Sequence, residues 1–119
     1  MDLTFKNLSH IIRLSEYEFQ TIIKHFGSLL NQIPFELYLF GSRTDITKKG
    51  GDIDLMIILF TEYDYLWFLD QKIFLISHIK GLLDDQKIDL LVTTPDKIKN
   101  DPFIATLNQK ILLSKNTRS

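Results

Sequence analysis

The sequence contains no cysteine, which removes disulfides, thiol nucleophiles and cysteine metal ligands together. Its three histidines, His10, His25 and His78, are too scattered to suggest a zinc site, so any metal chemistry falls to carboxylate oxygens. A basic excess is also lacking: the formal net charge is −1 and the isoelectric point about 6.3. Proteins that hold nucleic acid through its phosphates usually carry such an excess, and bulk charge therefore gives no strong nucleic-acid signal. No long hydrophobic run occurs. The longest, Leu55-Met56-Ile57-Ile58-Leu59-Phe60, falls far short of the roughly 20 residues needed to cross a bilayer. The first residues lack the basic stretch and apolar run of a signal peptide, and a cytoplasmic location is expected. A Walker-type glycine loop is absent as well, which argues against an ordinary P-loop ATPase.

What remains is a chain of 119 residues, 45% hydrophobic and 12% aromatic, enough to bury the core of one domain over 1–119. Residues 1–14 show no clean period and read as an arm or a short helix. Ser15 followed by Glu18 reads as a capping box, opening a helix on Phe19, Ile22, Ile23, Phe26, Leu29 and Leu30. Residues 35–40 and 52–60 read as strands, the second so apolar that burial on both faces is expected. A long helix over 63–83, a strand over 86–92 and a last helix from Asp101-Pro102 follow. That helix would use Phe103, Ile104, Leu107, Ile111 and Leu112, leaving 114–119 as a frayed tail. The fold class is α+β: a small mixed sheet of at least three strands, packed by helices.

Three pieces sit where strands meet loops. Gly41-Ser42 ends the first strand, where a turn can offer backbone N–H groups and a hydroxyl to phosphate oxygens. Asp52 and Asp54 stand two apart at the start of the second strand and so project to one side, where a divalent cation can neutralise them. Asp89 lies within an apolar strand and needs a partner or a reason. It could pair with Lys87 or Arg43, face water at an edge, or join the other two acids if the strands adjoin. Three acids beside a phosphate-binding turn describe a two-metal phosphoryl-transfer site, with Asp89 nearest the nucleophile as ligand or general base.

Gly41-Ser42, nine intervening residues, Asp52-x-Asp54 and a strand-borne Asp89 together resemble the pattern of the polymerase-beta-like nucleotidyltransferase superfamily. The chain most resembles its smallest branch, the minimal nucleotidyltransferase (MNT) domains, over nearly its full length. The resemblance implies the nucleotidyltransferase fold, with Gly41, Ser42 and Arg43 at the nucleotide. Asp52, Asp54 and Asp89 would be the catalytic and Mg²⁺-binding carboxylates, and an NTP, with ATP foremost, the substrate. The nucleotide would pass to a hydroxyl on a protein or small molecule. The resemblance further implies pairing with a HEPN-type helical protein, as antitoxin to a ribonuclease toxin. A non-catalytic binding module of the same fold, neutralising or scaffolding a partner, is the alternative.

The sequence departs from the family after Ser42. A usual basic position is Asp45, a flexible one is Ile46, and Gly51 stands where Ser is frequent. Lys48 or Lys49 could restore the charge or simply be solvated. On the long helix, Phe68, Ile76, Ile79 and Leu83 should face the sheet. Trp67 and Phe74, with His78 nearby, form a second stripe, available to a partner or to another copy unless the last helix covers it.

Overall fold

The computed structural model describes residues 3–107 and 109–117. Its elements are α1 (Phe5–Leu8), α2 (Glu16–Leu29), β1 (Phe35–Phe40), a 3-10 turn (Gly41–Thr44), β2 (Ile53–Leu59) and α3 (Glu62–Leu82). These are followed by β3 (Ile88–Thr93), α4 (Pro95–Asn100), α5 (Pro102–Ala105) and β4 (Lys110–Asn116). One mixed sheet runs in the order β3-β2-β1-β4. β1 is antiparallel to both β2 and β4, and β2 is parallel to β3. This is an α+β fold.

Strand alternation sorts the side chains onto two faces. Leu37 and Leu39, with Ile53, Leu55, Ile57 and Leu59, point to the main core against Phe19, Ile22 and Phe26 of α2 and Phe68, Leu75 and Ile79 of α3. Met56 and Ile58 point to the opposite face, where Ile104, with the partly buried Ile98 and Leu107, covers them. β2 is thus apolar on both faces, as its unbroken run implies.

The helices start where their caps put them. Ser15 Oγ accepts from Glu18 N at 3.0 Å, and Glu18 Oε1 accepts from Ser15 N at 2.8 Å, closing the expected capping box. Thr61 and Thr94 cap α3 and α4 in the same way, each hydroxyl accepting an N–H of the first turn.

Three expectations are corrected. The last helix ends at Ala105, and Ile111 and Leu112 belong to β4, a fourth strand. The run Ile111-Leu112-Leu113 imitates helical spacing because a bulge opposite Leu37 and Tyr38 interrupts the two-residue alternation. Residues 114–116 are not frayed. They finish β4, and Asn116 Nδ2 lies within 3.1–3.2 Å of the carbonyls of Leu30, Asn31 and Ile33 just after α2. Of the tail, residues 118 and 119 fall outside the described residues. The third correction concerns α3: Trp67 is half-buried against the core, and His78 rests edge-on against His25 with ring centroids 4.8 Å apart. Of the expected second stripe, Phe74 and His78 remain exposed.

Within residues 3–14, Leu8 at the end of α1 and Ile12 and Leu14 beyond it enter the main core, which anchors this segment. No helix among the described residues is long and apolar enough to cross a membrane.

Candidate carboxylate site

β1 ends at Phe40, and Gly41 turns the chain at φ +74°, where a β-carbon is strained. A Cβ at Gly41 would also overlap the Asp54 carboxylate. Glycine therefore lets the turn lie directly on that acid. Sheet register aligns Phe40 with Asp54, and Asp54 with Asp89. Both acids consequently project from the face that α4 and α5 cover only in part.

Burial raises the Asp54 pKa above its ordinary value, and the Asp89 and Asp52 carboxylates push it further in the same direction. Lys87 acts oppositely but more weakly, and a hydrogen bond with Asp89 favours the protonated form. Asp52 is drawn to Lys87, Nζ to Oδ2 3.6 Å, with both side chains largely in water. No three His, Asp or Glu side chains among the described residues already converge as a metal cage. The structure thus brings Asp54 and Asp89 together and turns Asp52 toward a lysine. Asp89 pairs with neither Lys87 nor Arg43, whose acid partners are Asp52 and Glu18.

Arg43 is buried and looks inward rather than toward the acids' face. Its guanidinium donates to Gly51 O at 3.2 and 3.3 Å, Arg13 O at 2.7 Å and Gln86 Oε1 at 3.2 Å, and pairs with Glu18 at 3.4 Å. A nucleotide role for it would require breaking that network, so its place here is to hold the loop. Glu18 accordingly serves the α2 cap and the loop at once. Sequence reading missed Arg13, which donates to Gly50 O at 2.6 Å, Asp45 O at 3.2 Å and Ser42 O at 3.4 Å. Backbone bonding from Arg13 N to Arg43 O, 2.7 Å, completes the clamp. No local motif signals it, since its acceptors are backbone carbonyls about thirty positions away.

Two of the unusual loop residues, Asp45 and Gly51, have local roles. Asp45 Oδ1 accepts from Thr47 N at 3.0 Å and Thr47 Oγ1 at 2.6 Å, which holds its carboxyl below the usual range and makes it a turn former. Gly51 sits at φ +93°, and a Cβ there would come within 2.7 Å of Ser42 Oγ. The glycine leaves that hydroxyl room. Lys48 and Lys49 are exposed.

Two clefts share Phe40 as a wall. One of about 630 Å³ borders Gly41, Thr44, Leu107 and Gln109. The other, about 290 Å³, borders Asp89, Lys72, Leu91 and Phe103. A third, about 490 Å³ around Asp96, Lys97 and Asp101, shares no lining residue with either. The fold and the site define an α+β domain whose mixed sheet carries two neighbouring carboxylates beside a glycine turn. Compared with known proteins, the chain matches no family model, no curated protein and no solved structure.

Proposed function

We propose that the chain is a metal-dependent nucleotidyltransferase of the minimal type, moving the NMP portion of an NTP, with ATP foremost, to a hydroxyl acceptor. The observation that carries this reading is the packing of the Gly41 turn onto Asp54, with Asp89 beside it in the sheet register. Two neighbouring acids repel when both are ionised, and a bound cation relieves that repulsion as protonation of Asp54 does, which is why the pair suits a divalent ion.

The donor set fits Mg²⁺: all ligands are carboxylate oxygens, and Asp54 and Asp89 adjoin while Asp52 is held only by an exposed lysine pair. When bound, the ion would neutralise triphosphate charge and favour attack at the α-phosphorus. Asp52 and Asp54 would hold it, with Asp89 on the acceptor side. The turn at Gly41 and Ser42, of which Gly41 borders the larger cleft, would seat phosphate oxygens, and Asp89 would accept the proton of the attacking hydroxyl. The new bond joins that oxygen to the α-phosphorus, and pyrophosphate leaves with the electron pair of the broken bond.

The partner implied by the resemblance, a HEPN-type helical protein to which this chain would be antitoxin, remains part of the proposal as an acceptor. A second reading, a binding module without catalysis, draws on the Asp52–Lys87 pair, which engages one proposed metal ligand, and on Arg43, whose charge is paired with Glu18. ATP labelled at its α-phosphate or at its γ-phosphate, incubated with the chain and a coexpressed partner, separates the two. Transfer of the α-label alone supports the enzyme. A stable complex with no label transferred, from either position, replaces it with the binding module.

A further inference from the structure

One helix has two apolar sides and only one cover. Phe68, Leu75 and Ile79 put one side of α3 into the main core. Around the opposite side, Tyr63 is 79% exposed, Leu66 54%, Leu69 40%, Ile73 70% and Phe74 75%. At 3.6 residues per turn these five span an arc of about 140°, roughly centred away from the core. A helix apolar all round is normally covered all round. Neither α5 nor β4 lies over this side: Ile104 of α5 packs on the far face of the sheet, and β4 pairs with β1.

The charges that flank the stripe say what fits it. Glu62 and Lys80 begin and nearly end α3, eighteen positions apart (80 − 62), which is five whole turns. They therefore lie on the same side of the stripe, roughly 27 Å apart along the axis. A two-fold axis perpendicular to α3 near its midpoint brings Glu62 of each copy opposite Lys80 of the other, and the two helix dipoles run antiparallel. Glu62 has only an exposed contact to Lys97 at 3.7 Å to give up, which is a weak competitor. Side chains of this size present on the order of 600 Å² of apolar surface per copy. Two copies then bury at most roughly 1,200 Å², at the low end of what specific interfaces need, which makes for a weak dimer.

We propose that the exposed side of α3 is a self-association surface, on which a second copy of this chain docks antiparallel with reciprocal Glu62–Lys80 pairs. Asp70 lies inside the stripe close to the axis, so the two Asp70 carboxylates approach each other and limit the affinity. The inference is independent of nucleotide chemistry, because none of these residues borders the carboxylate pair.

Sedimentation velocity of the whole chain, from low micromolar to near millimolar, tests it. Wild type should move from 14.0 kDa toward twice that mass and stop there. Ile73→Asp, and separately Leu66→Asp, should raise the Kd about tenfold or more while the melting curve shows each variant folded. Glu62→Lys and Lys80→Glu should each weaken the dimer about fivefold, and the double reversal should restore it. Asp70→Asn should tighten it. Wild type that stays monomeric throughout would overturn the proposal, as would a dimer indifferent to Ile73→Asp. A double reversal as weak as the singles would overturn the antiparallel register. So would capture of a different chain at Ile73 without self-association, which assigns the surface to that partner.

Discussion

Replacing Asp54 with asparagine should make the metal-free protein more stable, although it removes a charged residue from the proposed centre. Asp54 and Asp89 are direct neighbours on parallel strands, where chain spacing is about 4.8 Å. Two unit charges at that distance repel by about 1 kcal/mol in water and about 3.5 kcal/mol at an effective dielectric of 20. Asp54 is partly buried and Asp89 exposed, so solvent screening favours the lower figure, about 1 kcal/mol. In a domain of this size that corresponds to a rise in Tm of about 4 °C. The sign with pH follows from the direction of the shift. Native Asp54 keeps its proton to a higher pH than the unfolded chain, whose value is near 3.8. Native protein then binds more protons between those two values, and stability falls as pH rises through that interval. The full penalty is present above the raised value and absent below about pH 3.8. Thermal melts in chelator should show Asp54→Asn above wild type at neutral pH, with the gap closing on acidification. Mg²⁺ at ten times its dissociation constant should stabilise wild type by about 1.4 kcal/mol and leave the variant unmoved. A lower Tm for the variant in chelator, or equal Mg²⁺ shifts in both proteins, would refute the reasoning.

Gly41→Ala meets both a positive φ and the Asp54 carboxylate, so it should cost about 2 kcal/mol in a denaturant melt and abolish nucleotide binding. Arg43→Met leaves the Arg13 carbonyl without its side-chain donor and removes a donor side chain from both Gly51 O and the Glu18 carboxylate, with an expected loss of about 2 kcal/mol read by the same melt. Asn116→Ala removes the donor to three carbonyls after α2. It should cost about 1–2 kcal/mol, whereas no change would mean that β4 ends earlier. Leu113→Ala empties a fully buried site and should lower stability by about 3 kcal/mol in urea unfolding.

Much of the fold was legible because its signals are local. Ser15 and Glu18 announce α2, the run beginning at Leu55 announces a doubly covered strand, and Asp101-Pro102 opens a helix at the right place. The end of that helix was illegible, since a bulge in β4 hides the strand alternation that would have betrayed it. α4 was also missed, although Thr94-Pro95 carries the cap and first-turn proline that start it. At the site, the period-two rule applies from Ile53 onward, where β2 begins, so it reaches Asp54 and leaves Asp52 just outside the strand. That Asp89 would stand beside Asp54 depended on the parallel pairing of β2 with β3, which no short pattern specifies. Arg43 was assigned to a nucleotide by its position after Gly41-Ser42, and only tertiary contacts reveal its acceptors within the fold. The preference of Asp52 for Lys87 likewise arises from two charges that come together only when β2 and β3 are adjacent.

Calorimetric titration of ATP, with and without Mg²⁺, into wild type, Asp52→Asn and Asp54→Asn tests the nucleotidyltransferase reading most directly. Binding to wild type that requires Mg²⁺, and that both variants lose while remaining folded, is the expected result. ATP binding that persists without a divalent ion, or that either variant retains unchanged, would contradict a metal-held triphosphate at this carboxylate site.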